Sequence, residues 1–188
     1  MVEKTSISIE DTDFNFENKP VTIVANRSYP EIELAGLKIG PLEEGKEYEL
    51  RFWIAKELEK AGIARFREET LLDRVKLHKI HWKESVQSAR QISSLPEDFY
   101  PKLRRYLSKL KGEARKNSEK MKEYGRGKQL SRDIVNCRLK KIVSLSSVIT
   151  RTNQILENLT NEERAFYEQL YQTINKWRAK ILKGGVQP

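Results

Sequence analysis

Residues 31–66 read EIELAGLKIGPLEEGKEYELRFWIAKELEKAGIARF, and this stretch decides the fold of the N-terminal part of the chain. It opens with the period-two alternation of a half-buried strand, with Ile32 and Leu34 separated by glutamates. Gly40-Pro41 then predicts a turn, because glycine accepts a positive φ and proline fixes φ near −65°. The first part of the stretch therefore predicts strand, turn and return.

The second part of the stretch predicts a helix between strands. From Tyr48 onward the apolar residues follow helical spacing, with Trp53 as the largest apolar side chain. Gly62 stands where a glycine commonly follows a helix end, and IARF at its side is typical of a short returning strand. We expect one short helix held between strands.

The residues before this stretch also favour strands. Residues 3–18 contain SISIE and DFNFE, two short alternating segments that we interpret as strands. A clearer strand follows Pro20, with Val21 and Ile23 on one face. A β-rich domain of residues 1–66 buries little surface by itself and is expected to pack on something else.

Beyond Phe66 the composition shifts to long helical patterns. We predict helices over residues 68–92, 95–110, 131–149 and 161–181. Gly125 and Gly127 are expected to break the helix between the second and third of these. The predicted fold class is α+β: a small N-terminal β-rich domain (1–66) with one short helix, followed by an all-α helical-bundle domain (67–188).

Charge is divided unevenly between these parts. Residues 1–66 hold nine Lys and Arg against 13 Asp and Glu, whereas residues 67–188 hold 27 against 14, so the two parts carry −4 and +13. A basic half is typical of proteins with a nucleic-acid or acidic-protein partner. A long helical surface that uses Lys and Arg for solubility would show the same charge.

The most polar segment is residues 111–130, KGEARKNSEKMKEYGRGKQL. Its cations, glycines and a tyrosine make it the best local candidate for nucleic-acid contact. The alternative is a solvated helix end and connector. The candidate contact residues are Arg115, Lys116, Lys120, Arg126 and Lys128.

The sequence offers no pattern for catalysis or a cofactor. It has no phosphate-binding glycine loop, nucleophile elbow or zinc-ligand spacing. His78 and His81 lie three residues apart without a supporting carboxylate-plus-His motif, and Cys137 reads as a small core residue. No secretory signal or apolar run of about 18 residues occurs, which favours an intracellular, non-membrane protein. The missing catalytic motifs favour a protein without enzyme activity.

Residues 21–66 resemble the small β-rich domain of GINS replication subunits. The resemblance rests on the glycine-flanked I-x-L-x-G-L segment, the Gly-Pro turn and the R-F-W-I-A-K-x-L helix. It continues in LPEDFYPKLRRYLSKL (95–110), RDIVNCRLKKI (132–142) and LTNEERAFY (159–167). The β-rich domain precedes the helical one, as in the archaeal subunit type related to the eukaryotic Psf-two and Psf-three subunits.

The resemblance implies a non-catalytic replication scaffold. GINS subunits form a four-chain complex, in archaea usually two copies each of two subunit types. Their helical domains form the assembly core. The complex links the MCM helicase to a RecJ-like partner at the replication fork, and can also contact primase or DNA polymerase. From the apolar stripes we expect the subunit interface to use Leu95, Phe99, Leu103, Tyr106, Ile134, Leu139, Ile142, Phe166, Leu170, Ile174 and Trp177.

Two other functions remain open at this point. The first is a freestanding basic helical protein that binds nucleic acid, for which affinity should fall steeply with salt. The second is a regulatory enzyme subunit whose site a partner completes.

Overall fold

A computed structural model describes residues 9–34, 36–67, 71–86, 91–115, 117–148 and 156–182 of the chain. In these ranges the helices and strands are α1 (Ile9–Glu17), β1 (Pro20–Ala25), β2 (Ile32–Leu34), β3 (Leu37–Ile39), β4 (Glu47–Arg51), α2 (Phe52–Lys60), β5 (Ala64–Phe66), α3 (Arg74–Val86), α4 (Phe99–Ala114), α5 (Ser118–Ser146) and α6 (Asn161–Leu182). This order confirms the predicted α+β class, a small sheet region followed by a helical bundle.

The chain divides into two compact units, and Asp13–Leu72 form the first of them. The second contains the helices from Asp73 onward. The domain limits predicted from sequence, 1–66 and 67–188, stay predictions.

The first unit is built on an antiparallel three-stranded sheet with the order β4-β1-β5. Alternate residues of β1 are buried, namely Val21, Ile23 and Ala25, which confirms the predicted strand and its inward face. β2 and β3 form a separate two-stranded hairpin in which Ile32 pairs with Ile39.

Phe52, at the start of α2, is the central aromatic of this unit. Its ring centroid lies 4.6 Å from that of Phe16 and 5.1 Å from that of Phe66. Trp53 is only partly buried and packs at the edge of the same core. Trp53 has the larger side chain but lies at the edge of the core, because the sheet lies on the Phe52 side of the helix.

Two sequence predictions in this unit were wrong. Tyr48 and Leu50 belong to β4, not to the following helix, because β4 pairs with β1 through Ile23↔Tyr48 and Val21↔Leu50. Helix α2 begins only at Phe52. The predicted boundary of the helix at Gly62 is confirmed, since Gly62 has φ +69° directly after the C-cap.

Residues 9–17 form a helix rather than the predicted strand segments. Glu10 and Asp11 occupy the first turn, where negative charge stabilises the positive end of the helix dipole. Phe16 then reaches the core of the sheet unit from a helical backbone. The predicted strand over residues 3–8 lies outside the described residues.

In the second unit, α3, α4 and α6 all pack against α5. Helix α5 runs without interruption from Ser118 to Ser146, so the predicted break at Gly125 and Gly127 was wrong, as was a helix start at Ser131. A Cβ on Gly127 would lie 3.0 Å from Leu110 Cδ1, so this glycine allows α4 and α5 to approach closely. Close packing thereby outweighs its helix propensity, about 1 kcal/mol worse than alanine.

The two helices before α5 begin later than predicted. Described α3 residues begin at Arg74, where the Lys76 amide donates to Asp73 Oδ1 at 2.7 Å. α4 begins at Phe99 instead of near Ser94. The preceding Ser93 stays non-helical because its hydroxyl donates to Glu84 and its carbonyl accepts from Arg138.

Helix α6 begins as its sequence predicts. The Glu163 amide donates to Thr160 Oγ1 at 3.3 Å, and the Thr160 amide donates to Glu163 Oε2 at 3.1 Å. This reciprocal pair confirms the predicted capping box. In α5, Ile149 of the predicted 131–149 helix lies outside the described residues.

Candidate functional site

The residues predicted to form the subunit interface differ widely in exposure. Buried in the chain's own core are Phe99, Leu103, Ile134 and Ile142. Partly buried are Leu95, Tyr106, Leu170 and Ile174. Exposed are Leu139, Phe166 and Trp177. Only the exposed and partly buried ones are open to a second chain, and the interface itself stays a prediction.

The apolar stripe of α6 passes from the bundle into solvent along one helix. We call Phe166, Leu170, Ile174, Trp177 and Ile181 the α6 stripe. Near its start the neighbouring Tyr167 is 2% exposed, whereas Trp177 and Ile181 are 63% and 60% exposed. Arg178 donates to the Ser147 carbonyl at the C-terminal end of α5, so α5 ends at this level of α6. Beyond the level of Ser147, α6 no longer has α5 to pack against.

Exposed apolar residues also occur at helical spacing on α5 and α3. On α5, Val135, Leu139 and Val143 are 38%, 41% and 43% exposed. On α3 the exposed residues are Val75, Trp82 and Val86, at 63%, 69% and 67%. Sequence periodicity identifies such an apolar face but not what covers it.

A buried ionic cluster joins the helices of the second unit, and its centre is Arg138 of α5. Its Nη1 donates to Glu84 Oε1 of α3 at 2.9 Å, and its Nε donates to Glu163 Oε1 of α6 at 2.8 Å. Lys141 Nζ donates to Glu84 Oε2 at 2.8 Å, and the Tyr100 hydroxyl of α4 donates to Glu163 Oε1 at 2.7 Å. Two cations and two carboxylates thus balance one another.

The cluster favours the ionised forms of Glu84 and Arg138 despite their burial. Burial tends to raise the pKa of Glu84, but hydrogen bonds from Lys141 and Ser93 and the charge of Arg138 outweigh it and lower this pKa. For Arg138, burial tends to lower the pKa, and Glu163 and Glu84 outweigh it and raise it. Burial, with the nearby Glu163 carboxylate, raises the pKa of the Tyr100 hydroxyl.

Every charged member of the cluster is satisfied by another member, so the cluster is suited to fixing helix positions rather than to catalysis. Sequence reasoning placed Arg138 among apolar neighbours and missed the cluster. The signal was available only in part: Arg138 and Lys141 lie three apart on α5, but Glu84 lies 54 residues before Arg138.

The predicted nucleic-acid contacts are distributed over two elements. Arg115 follows α4 and is exposed, Arg126 and Lys128 are exposed on α5, and Lys116 lies outside the described residues. Lys120 is engaged by its own chain, with Nζ 2.9 Å from Glu123 Oε2 and 3.5 Å from Glu113 Oε2. Their role in binding stays a prediction.

Part of this basic region lines a groove between the start of α3 and the first turns of α5. We call it the α3–α5 groove; its volume is about 700 Å³ and its lining residues are Arg74, Ser118, Glu119, Lys120, Lys122, Glu123 and Arg126. The cations outnumber the carboxylates by four to two. The half-buried Tyr106 lies close by: burial, then Glu123 and Asp73, raise the pKa of its hydroxyl.

The remaining candidate sites carry little chemistry. Among described residues no group of three or more His, Cys, Asp or Glu side chains is placed to hold a metal ion. His81 Nε2 lies 3.4 Å from the Ser85 hydroxyl on its own helix. None of the helices in the described ranges is both long and apolar enough to cross a membrane.

Comparison with known proteins gave two matches that together span most of the chain. A sequence model of the GINS complex protein helical bundle domain matches residues 67–182. A model of the PSF2 N-terminal domain matches residues 8–66. No curated protein matches the chain by sequence.

Proposed function

Because the chain belongs to the GINS family of DNA-replication proteins, we propose that it is a non-catalytic scaffold subunit. It joins other GINS subunits, as its family does. In the proposal it also links the MCM helicase to a RecJ-like partner at the replication fork. We also propose that it contacts primase or DNA polymerase.

The observation that carries this proposal is the exposed half of the α6 stripe. Trp177, Ile181 and Leu182 are 63%, 60% and 83% exposed, on a helix whose first half is packed in the bundle. Fully burying an aromatic or branched aliphatic side chain contributes about 1.5–3 kcal/mol. A second subunit that covers these residues would therefore supply much of the binding free energy.

The α5 face with Val135, Leu139 and Val143 and the α3 face with Trp82 offer further apolar area. The exposed apolar residues of each helix recur at helical spacing and so share one face, and exposed apolar patches are typical of protein–protein contact sites. We propose an assembly of two copies each of two subunit types, with closed symmetry. The β-rich unit is then available for partners outside the assembly.

The test is the mass in solution, by light scattering, of the full chain alone and after co-expression with a second GINS subunit type. We expect a stable species of about four chains only in the mixture. The double variant Trp177→Glu/Ile181→Glu should abolish this species, because it places two charges in a desolvated contact.

A matched control adds the same two charges to the polar face of α6. Gln169→Glu/Gln172→Glu changes exposed side chains and should assemble normally. A monomer that ignores the second subunit would overturn the scaffold proposal. Assembly that survives the Trp177/Ile181 change would overturn the assignment of the α6 stripe.

A further inference from the structure

We propose that the α3–α5 groove is a docking site for an acidic segment of a partner protein. The proposal rests on the groove's own residues and not on the scaffold role of the α6 stripe. The two surfaces share no residue, so each can be changed without the other.

Three cations of the groove are open to a ligand. Arg74, Lys122 and Arg126 have exposed side chains and come from two helices that pack together. Lys120 differs, because Glu113 and Glu123 hold its ammonium group. The exposed cations therefore come from both walls of one groove, which attracts a negatively charged ligand.

The spacing of these cations fits a polypeptide in extended conformation. Lys122 and Arg126 are four residues apart on α5, a rise of about 6 Å. Side chains on one face of an extended chain recur about every 6.6 Å. Acidic residues at alternate positions would consequently meet the two cations in turn.

The carboxylates of the groove disfavour nucleic acid. Glu119 and Glu123 line the same groove as the cations. A nucleic-acid strand carries one negative charge per about 3.4 Å and cannot pass both carboxylates without repulsion. A peptide can place neutral residues at those points. The described lining residues also include no aromatic ring on which a base could stack, and the nearby Tyr106 is half-buried.

Two exposed apolar residues stand next in sequence to groove cations, although they are not among the described lining residues. Val75 follows Arg74 and is 63% exposed, and Met121 precedes Lys122 and is 62% exposed. Methionine is adaptable and frequent at binding surfaces that accept varied apolar side chains. The expected ligand is an acidic segment with at least one apolar residue.

The experiment is fluorescence anisotropy with the full-length chain and a labelled synthetic peptide that alternates glutamate with serine around a central leucine. We expect saturable binding that weakens as salt rises. The variant Lys122→Glu/Arg126→Glu should weaken binding by about tenfold for each reversed charge. Lys122→Gln/Arg126→Gln should give a smaller loss in the same direction.

The matched control is Arg132→Glu/Lys140→Glu, which reverses two exposed charges of α5 outside the groove. It should bind the peptide with unchanged affinity. Absence of peptide binding, or an equal loss in the control, would overturn the proposal. Tighter binding of a single-stranded oligothymidylate of equal charge, lost in the groove variant, would assign the groove to nucleic acid instead.

The same variants are checked by light scattering with the second GINS subunit. Normal assembly of the Lys122/Arg126 variant together with lost peptide binding is the expected result. Lost assembly in this variant would contradict the independence of the groove from the subunit interface.

Discussion

The two halves of α6 differ in how far their side chains are exposed. In the first half Glu163 and Tyr167 are 4% and 2% exposed, while in the second half Trp177 and Ile181 are 63% and 60% exposed. Both halves belong to one uninterrupted helix, Asn161–Leu182. The first half serves the fold of this chain, and we propose that the second half binds another molecule.

The largest effect is expected from removing Arg138, whose contact with Glu163 holds the first half of α6 in the bundle. Arg138→Ala removes the cation that pairs with buried Glu163, and it leaves buried Glu84 with Lys141 as its cation. We expect a loss of about 3–5 kcal/mol in the free energy of unfolding, measured by urea denaturation. The control Lys140→Ala changes an exposed cation of the same helix and should stay within about 0.5 kcal/mol. A small loss for Arg138→Ala would show that the cluster does not stabilise the bundle.

A direct test compares one aromatic from each half. Tyr167→Ala should cost about 3–5 kcal/mol in unfolding free energy, because it leaves a cavity in the cluster formed with Leu159 and Ile142. Trp177→Ala should change the unfolding free energy by less than about 0.5 kcal/mol and weaken assembly with the second subunit. Urea denaturation and light scattering measure the two effects. Similar losses of unfolding free energy in both variants would show that the two halves of α6 contribute equally to the stability of the chain.

The smallest effect is expected from protonation of Glu84, since the carboxyl group stays in place and keeps part of its hydrogen bonding. Its pKa is lowered from the ordinary value of 4.5, so the folded protein holds this group ionised more strongly than the unfolded chain does. The stabilisation is therefore present above about pH 4.5 and is lost as the pH falls through the lower folded-state value.

Thermal unfolding between neutral and acidic pH measures this loss. Glu84→Gln should flatten the part of the profile below pH 4.5, whereas Glu157→Gln, at an exposed position, should leave it as it is. An unchanged profile in Glu84→Gln would show that other carboxylates govern the acid transition.

Local sequence signals predicted the fold class and several element boundaries. The Thr160–Glu163 spacing gave the start of α6, and the alternation of Val21 and Ile23 gave β1. These predictions succeeded because the deciding contacts lie within a few residues. The α+β order and the family resemblance followed from patterns of the same kind.

Predictions failed where distant contacts decide the structure. Gly127 is helical because α4 packs closely beside it, and Tyr48 is in a strand because β1 pairs with it. Arg138 is buried in an ionic cluster whose carboxylates come from α3 and α6. For the candidate interface, spacing identified the apolar stripes, but it did not separate Ile134, buried in the core, from Trp177.

The contacts of Glu163 determine the direction in which α6 presents Trp177. Its carboxylate both caps α6 at Thr160 and accepts from Arg138, so the rotation of α6 about its axis is set at its first turn. An α-helix turns about 100° and rises about 1.5 Å per residue. One residue inserted between Leu170 and Ile174 would turn the second half by that angle and point polar side chains where the tryptophan now points. In such a chain the second half of α6 would keep nearly the same composition, but its apolar side chains would point in another direction.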